Sequence, residues 1–314
     1  MVENQGASCE ISVVVPAFNE AESMPELLDR LEEVLVGMQR SYEIWVIDDG
    51  SNDGTFDVLA AQSSHRPHLH ALSLSRNYGK AAALSAGFNV ASGEVVITLD
   101  ADLQDDPAEI PHLVAKIEGG NDLVSGWKQN RKDGFIKNQT SKLFNSVTSA
   151  VAGLRLHDYN CGLKAYRSEV TRSVRIYGEM HRYIPALAHL EGFKVTEIPV
   201  RHHARRFGRT KYGPARFLNG FLDLLTVFFL HARASSPLHF FGRIGLLFFA
   251  IGLVINGYFL VQWLLGQGLR VRPLLVAGFL LIVMAVQFVS LGLIAELVVA
   301  GRHPEMEYRV RRRF

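Results

Sequence analysis

The chain has 314 residues, of which 48% are hydrophobic, and its mean hydropathy of +0.11 is high for a wholly soluble protein. Its formal net charge is only +2, which argues against a nucleic-acid-binding protein. The two cysteines, Cys9 and Cys161, have no C-x-x-C spacing, so neither a disulfide framework nor a zinc cluster is expected. The N-terminus lacks the basic start and apolar stretch of a signal peptide, so we expect the first domain to remain in the cytosol.

Short apolar runs alternate with helical patterns over residues 11–125. The pattern predicts strands at 11–15, 44–47, 70–74 and 95–99. Apolar residues at three- and four-residue spacing predict a first helix with Asn19 as its cap, and further patterns predict helices at 53–61 and 80–91. This alternation predicts an α/β fold, a mostly parallel sheet with helices on both faces. Ligands of such sheets bind beyond the carboxyl ends of the strands.

Two carboxylates follow the fourth predicted strand. Asp100 and Asp102 are one residue apart, so on an extended chain both side chains lie on the same side, and Gln104 follows at the next such position. Carboxylate and amide oxygens suit Mg²⁺ or Mn²⁺, which share the rest of their coordination with water and substrate phosphates. The pattern therefore predicts a divalent-cation site, the alternative being an acidic turn after a buried strand.

Each of the other three predicted strands also ends in a polar segment. These segments are 16–20 (PAFNE), 48–54 (DDGSNDG) and 76–80 (RNYGK). A carboxylate after the second strand suits hydrogen bonds to a base or a ribose, so the four strand ends together predict a nucleotide site. The chain has no G-x-G-x-x-G and no P-loop, which argues against dinucleotide binding and nucleotide hydrolysis.

Two segments are rich in basic residues. Segment 127–142 has five Lys and Arg residues against one acid, and segment 201–216 has six and no acid. Such residues suit a diphosphate leaving group and a phosphate acceptor, since Arg binds phosphate through two parallel hydrogen bonds. The alternatives are solvated loops or contact with anionic phospholipid.

Two long apolar runs, 244–265 and 274–295, lie near the C-terminus. Each matches the roughly 20 residues that a helix needs to cross a bilayer, and their connector is too short to hold a domain, so they predict a hairpin. Buried core helices are the alternative. More arginines flank the hairpin than lie in its connector, which predicts that both termini are cytoplasmic. The apolar spacing of 214–234 predicts a helix in the membrane interface, or else a core-facing helix.

The four strand-end motifs, in this order, resemble those of the family 2 glycosyltransferases of the GT-A fold. Within that family the chain is similar to the branch that glycosylates polyprenyl phosphates, which includes dolichol-phosphate mannose synthase and bacterial undecaprenyl-phosphate glycosyltransferases. The motifs cover residues 11–212, and the hairpin extends the resemblance to most of the chain. The resemblance implies a cytoplasmic GT-A (Rossmann-like) domain at 1–213, an interfacial helix at 214–237, a transmembrane hairpin at 238–300 and a basic cytoplasmic tail at 301–314.

The resemblance also implies roles for individual residues. Contacts to the nucleotide sugar are implied for Pro16, Phe18, Glu20, Ile47, Asp49, Lys80, Asp100 and Ala101. The implied metal ligands are Asp100, Asp102 and Gln104, and the implied catalytic residues are Asp102, Arg205 and Lys211. The acceptor-phosphate and sugar side is implied to include Arg131, Lys137, Asp158 and Lys164. Phe18 stands where many relatives have tyrosine, so a hydroxyl contact is lost there.

By this resemblance the chain is expected to move one sugar, glucose or another hexose, from a UDP-linked donor to undecaprenyl phosphate with inversion. The product is expected to serve cell-envelope glycan modification. The same resemblance implies an Mg²⁺ or Mn²⁺ cofactor, membrane lipid as a partner, no nucleic acid, and a multi-pass location in the inner (plasma) membrane. It leaves open a homodimer or a homotetramer.

Other classes of protein share some of these features. A GDP-mannose-dependent polyprenyl-phosphate mannose synthase is one alternative, and a non-catalytic, membrane-anchored nucleotide-sugar-binding scaffold is another. The scaffold is disfavoured because such a protein is expected to have lost a metal carboxylate. A processive polysaccharide synthase is disfavoured because the Q-x-x-R-W element is absent.

Overall fold

The structure, a computed structural model, describes residues 9–129, 145, 148–149, 152–203, 237–266, 273–300 and 310–313. The chain divides into two compact units, residues 1–228 with 306–314, and residues 229–305. Nearly all of the predicted interfacial helix and most of the predicted tail lie outside the described residues, so both stay predictions.

The described residues of the first unit form a mixed sheet. Its strands are β1 (Ile11–Ala17), β2 (Tyr42–Asp48), β3 (Leu69–Leu74), β4 (Val95–Thr98), β5 (Leu123–Lys128), β6 (Lys164–Arg167), β7 (Val195–Val200) and β8 (Val310–Arg313). They are arranged in the order β7-β5-β6-β4-β1-β2-β3-β8. β1 is parallel to β2 and β4, β2 to β3, and β5 to β7. β6 and β8 are antiparallel to their neighbours, and the predicted mostly parallel α/β sheet is confirmed.

Helices cover the two faces of this sheet. They are α1 (Met24–Gly37), α2 (Thr55–Ser63), α3 (Lys80–Val90), α4 (Ile110–Glu118), α5 (Ser168–Ser173) and α6 (Ile184–Leu190). The three- and four-residue spacing of Leu27, Leu31 and Leu35 puts them on one side of α1, where they are fully buried in one cluster with Val13 and Val15 of β1.

The other face of β1 is covered by α3. Val14 alternates with its neighbours and therefore points away from α1. A Cβ atom at Gly87 of α3 would lie 2.2 Å from Cγ1 of Val14, so only glycine permits this close approach of helix and strand. Placing helices on both faces leaves the carboxyl ends of β1, β2, β3 and β4 open for a site.

The second unit contains two antiparallel helices, α7 (Pro237–Leu264) and α8 (Pro273–Ala300). A Cβ atom at Gly252 would lie 2.7 Å from the carbonyl oxygen of Gly278, and one at Gly245 would lie 2.9 Å from that of Ala285. The helices therefore approach each other at small residues, as membrane helices do. Both helices are long and apolar enough to cross a bilayer, over 238–264 and 273–295.

Most large apolar side chains of α7 and α8 are exposed, Val254 by 72% for example, which fits lipid-facing helices and not the core helices of a soluble domain. The two apolar helices of the predicted hairpin are present, and α7 begins before the predicted position 244.

The C-terminal residues add a strand that the sequence did not predict. β8 pairs with the outer edge of β3, with Arg312 opposite Ser73 and Arg313 opposite Leu72. The edge of a sheet leaves backbone donors and acceptors unpaired, and β8 satisfies part of that edge. The final residues of the predicted basic tail are thus part of the sheet.

Candidate active site

The polar segments that follow β1 and β2 are hydrogen-bonded to each other. The backbone N–H of Asn19 donates to Oγ of Ser51 (2.8 Å), and the backbone N–H of Asn52 donates to Oδ1 of Asn19 (3.0 Å). Asn19 has a φ of +55°, a left-handed value that Asn tolerates better than most residues. The prediction that Asn19 caps α1 was wrong, because α1 begins at Met24 and Asn19 instead ties two strand ends together.

Three residues predicted to contact the nucleotide follow or end β1. Pro16, Phe18 and Glu20 are all half-buried at the carboxyl end of the strand. The backbone N–H of Glu20 donates to Oγ1 of Thr55 at the start of α2 (3.0 Å), and its carboxylate accepts from Oγ of Ser23 (3.2 Å). The segment after β1 is therefore fixed from both sides.

Two adjacent carboxylates, at and just after the end of β2, are buried and accept hydrogen bonds from different segments. Asp48 accepts from the backbone N–H of Ser51 (3.0 Å) and from Oγ of Ser73 (2.8 Å). Asp49 accepts from the backbone N–H groups of Tyr78 (2.7 Å) and Gly79 (2.8 Å), and so holds the segment after β3. Burial raises the pKa of Asp49, and the two backbone hydrogen bonds oppose that rise.

An ion pair and a small cavity lie at the end of β4. The Lys80 ammonium, at the start of α3, bonds to Oδ1 of Asp100. A Cβ atom at Gly162 would lie 2.6 Å from Cγ of Asp100, so the 162 position is closed to any larger residue unless that carboxylate moves. Lys80 and Asp100 line the cavity together with Lys164 and His181. This cavity is polar and opens between predicted donor-side and acceptor-side residues.

Asp102 and Gln104 lie in a turn and not on an extended strand. β4 ends at Thr98, and Leu103 has a φ of +58°, so the alternation used to place Asp100 and Asp102 on one side does not apply here. Asp102 is buried, and its Oδ1 accepts from the backbone N–H of Gln104 (3.2 Å).

The donor set of this turn fits a hard divalent cation. It consists of carboxylate and amide oxygens, which Mg²⁺ and Mn²⁺ prefer. Among the described residues, no group of three or more His, Cys, Asp or Glu side chains is placed to hold an ion by itself. A cation that takes one or two carboxylates and completes its coordination with phosphate oxygens and water matches that composition.

On the predicted acceptor and sugar side, the structure describes Asp158 and Lys164, both buried. Lys164 begins β6 opposite Thr98, and its ammonium donates to the carbonyl oxygen of Cys161. Burial lowers the pKa of Lys164. Oδ1 of Asp158 accepts from the backbone N–H of Asn160 (3.0 Å). The structure therefore brings Lys164 next to the end of β4.

Two predicted contact residues are buried, Ile47 in β2 and Ala101 in the turn after β4. Ile47 is fully buried within β2 and packs near Gly87 of α3, so its side chain does not reach the surface, and Ala101 is only 4% exposed. The remaining predicted residues, Arg131, Lys137, Arg205 and Lys211, lie outside the described residues, and their placement stays a prediction.

A buried charge cluster beside the predicted metal-binding turn was missed by the sequence analysis. The side chain of Asp105 is fully buried, and its Oδ1 lies 2.9 Å from Nζ of Lys128 and 3.7 Å from Nδ1 of His202. The backbones of Asp105 and His202 also form an antiparallel bridge. These residues are far apart along the chain, so no sequence spacing indicates the cluster.

Asp105 and Lys128 are both held in their charged forms. Burial opposes ionisation of Asp105, but the charge of Lys128, with the His202 ring nearby, outweighs it and holds the pKa of Asp105 below its usual range. Burial likewise opposes the charge of Lys128, and Asp105 outweighs it and raises the Lys128 pKa. The Lys128 contact is an ion pair without regular hydrogen-bond geometry, since neither Asp105 oxygen makes a regular hydrogen bond with a described residue.

The chain is similar in sequence to several known proteins. Residues 12–175 match the family model described as glycosyl transferase family 2. The dodecaprenyl-phosphate galacturonate synthase of Rhizobium johnstonii is 39% identical over 298 residues, which cover 93% of this chain and 88% of that protein. The undecaprenyl-phosphate 4-deoxy-4-formamido-L-arabinose transferase of Klebsiella pneumoniae is 38% identical, covering 92% and 88%.

Solved structures share the fold at low sequence identity. Glucosyl-3-phosphoglycerate synthase from Mycobacterium tuberculosis, in complex with Mn²⁺ and UDP-glucose, gives a TM-score of 0.54 at 20% identity over 70% of this chain and 79% of that one. A mannosyltransferase from Pyrobaculum calidifontis, in complex with GDP-mannose and Mn²⁺, gives 0.53 at 18% identity over 95% and 77%. These likenesses establish the architecture of the sheet.

Proposed function

The chain belongs to glycosyl transferase family 2, and from that premise we propose that it transfers a single sugar from a nucleotide sugar to a polyprenyl phosphate. The observation that carries this proposal is the extent of the similarity to relatives named for such acceptors, which spans 92–93% of the chain and so includes the helix hairpin. The four strand ends supply the donor side, and a lipid acceptor explains why a sugar-transferring domain is joined to two apolar helices.

The donor is proposed to be a UDP-linked sugar. The relatives are named for galacturonate and for 4-deoxy-4-formamido-L-arabinose, so the glucose expected from the sequence is one candidate among three. The alternative donor is GDP-mannose. Inversion at the sugar carbon is part of the proposal, and so is an undecaprenyl or similarly long acceptor.

A donor screen tests this function. We expect the full-length protein in nanodiscs, supplied with undecaprenyl phosphate and Mg²⁺ or Mn²⁺, to form a lipid-linked sugar with one of UDP-glucose, UDP-galacturonate, the UDP-linked formamido-arabinose or GDP-mannose. Product is measured by radiolabel extraction into organic solvent and by mass spectrometry. Nucleotide-sugar binding without transfer from any donor would instead support the non-catalytic scaffold.

Catalysis is proposed to depend on charge placement. Asp102, with Asp100 and Gln104, would hold Mg²⁺ or Mn²⁺, which when bound neutralises charge that develops on the leaving nucleoside diphosphate. Lys80 fixes Asp100 through their ion pair, and Asp49 fixes the segment after β3. The acceptor is a phosphate monoester with a second pKa of about 6, so it is largely ionised at neutral pH and needs orientation more than a catalytic base.

Arg205 and Lys211 are proposed to bind the phosphates. Replacing either by Ala removes one charge-assisted contact worth about 1.5–3 kcal/mol. We expect a roughly tenfold to hundredfold loss of kcat/KM, measured with the donor and with the lipid phosphate. Residues 205–211 form an R-x-x-G-x-T-K element, and Arg206→Ala is the matched control, because it removes one charge at a variable (x) position of that element. Wild-type kinetics in both Arg205→Ala and Lys211→Ala would make the segment a solvated or lipid-facing patch.

The protein is proposed to lie in the inner membrane as a multi-pass protein with both termini cytoplasmic. We expect Gln267→Cys and Met306→Cys, each in a Cys9→Ser background, to be labelled from opposite sides of the membrane by an impermeant maleimide. Cys161 need not be replaced, because it is fully buried and burial raises its pKa to about 12. The Cys9→Ser parent is the control for background labelling, and labelling of both sites from one side contradicts this topology.

A further inference from the structure

The buried Asp105 carboxylate joins three segments of the chain. Asp105 follows the turn that contains Asp102, Lys128 is the last residue of β5, and His202 follows β7. Nζ of Lys128 and Nδ1 of His202 both face the same oxygen of Asp105, at 2.9 Å and 3.7 Å. A single carboxylate with no exposed surface therefore lies between a lysine at the end of β5 and a histidine just after β7.

Each of these partners stands where the chain enters a basic segment. Lys128 is three residues before Arg131, and His202 is three residues before Arg205. Asp105 is itself three residues after Asp102. The cluster thus links the proposed metal-binding turn to the starts of both proposed phosphate-binding segments.

Further contacts join residues 201 and 203 to the segment 104–109. The backbone N–H of His203 donates to the carbonyl oxygen of Gln104 (2.8 Å), and Nε2 of His203 lies 3.2 Å from Oδ2 of Asp106. Nε of Arg201 lies 3.7 Å from Glu109. These ion pairs involve exposed side chains and contribute little, since solvent screens them, whereas the Asp105 cluster is buried.

Stability alone does not account for a buried ion pair. Replacing such a pair by apolar residues is often neutral or stabilising, because two charges must be removed from water to form it. The pair does, however, fix the relative position of the segments that carry its members.

We propose that Asp105 is a positioning residue, whose carboxylate holds Lys128 and the 201–203 segment beside the metal-binding turn so that the two basic segments meet the transferring phosphates. This role rests on the proposed function. The nucleotide itself is bound by the ends of β1 and β2 in that function, so loss of Asp105 should affect transfer and the acceptor more than nucleotide binding.

The test is Asp105→Asn in the full-length protein, with Asp106→Asn as the matched control, which makes the same change one residue later at a half-buried carboxylate that contacts the exposed His203 side chain. We expect Asp105→Asn to lose roughly 10–100-fold in kcat/KM for undecaprenyl phosphate, since small misplacements of binding groups cost that much. The Kd for UDP should stay close to that of the wild type, whereas the Tm should fall, because Asp105→Asn leaves the buried Lys128 ammonium without its charged partner. Asp106→Asn should keep kcat/KM within about threefold, as expected for a screened pair.

The positioning role and the function on which it rests are refuted by separate outcomes. Unchanged acceptor kinetics in Asp105→Asn refute the role, and so does a loss of UDP affinity as large as the loss of kcat/KM, which indicates a structural role only. If Asp105→Asn does not fold, the double variant Asp105→Asn/Lys128→Met, which leaves no unpaired Lys128 ammonium, is measured against the wild type. Wild-type acceptor kinetics in that double variant refute the role of Asp105. No transfer by the wild type to any polyprenyl phosphate refutes the proposed function itself.

Discussion

Asp102→Asn should lower sugar transfer by about a thousandfold or more while the protein stays folded. A divalent cation contributes several kcal/mol to stabilising charge in such a reaction, and each 1.36 kcal/mol is a factor of about ten in rate. The amide oxygen of Asn can still accept the backbone N–H of Gln104 that Asp102 binds at 3.2 Å, so the turn should keep its conformation. Activity is measured as lipid-linked product, and Mn²⁺ binding by calorimetry in the presence of UDP.

Asp57→Asn is the control for this substitution, because it makes the same change of charge at an exposed position on α2. Wild-type protein treated with EDTA should lose transfer to a similar extent and recover it with added Mg²⁺ or Mn²⁺. Full activity in EDTA, after both ions have been removed, would rule out a cation at Asp102. Lost activity with undiminished Mn²⁺ binding in Asp102→Asn would place the ion elsewhere.

The first half of the sheet could be predicted from sequence because its signals are local. Each of β1, β2, β3 and β4 is a short apolar run, and each ends in polar residues that only a strand end would place together. The apolar spacing of Leu27, Leu31 and Leu35 likewise specifies the buried side of α1 without knowledge of its neighbours. The hairpin was predictable for the same reason, since length and composition alone define it.

The second half of the sheet depends on contacts distant in sequence. β6 is four residues long and inserts antiparallel between β4 and β5, and neither its length nor its composition sets that position. β8 is rich in arginine, which gives no strand pattern, and it becomes a strand by pairing with β3.

The candidate site likewise combines residues that local sequence signals indicate with contacts between residues distant in sequence. The sequence analysis placed Asp100, Asp102 and Gln104 on one side of an extended strand, whereas β4 ends at Thr98 and Asp102 lies in a turn. The partners of these residues are distant in sequence: Lys80 for Asp100, and Lys128 for the neighbouring Asp105. Such pairings follow from the order of strands in the sheet and are not recorded in any local spacing.

Removing the hairpin should separate the chemistry of the site from its access to a long lipid. We expect a protein in which residues 237–305 are replaced by a Gly/Ser linker to bind UDP like the wild type yet to lose most of its transfer to undecaprenyl phosphate. The reason is that a long polyprenyl chain stays in the bilayer and presents its phosphate at the interface, where only an anchored domain meets it at high local concentration. A linker of about 20 residues has a root-mean-square span of ~25 Å.

The linker is preferred to a simple truncation because residues 310–313 form β8, whose loss would expose the edge of β3 beside the segment that Asp49 holds. A chain ending at Ser236 is therefore the matched variant: it lacks both the hairpin and β8, and any extra loss of Tm or UDP affinity reports on the strand. A short, water-soluble prenyl phosphate should be used by the linker variant within several-fold of wild-type efficiency, because this acceptor needs no membrane. Equal efficiency with long and short acceptors in the folded linker variant would show that the hairpin does not position the acceptor, and would favour a role in assembly or localisation.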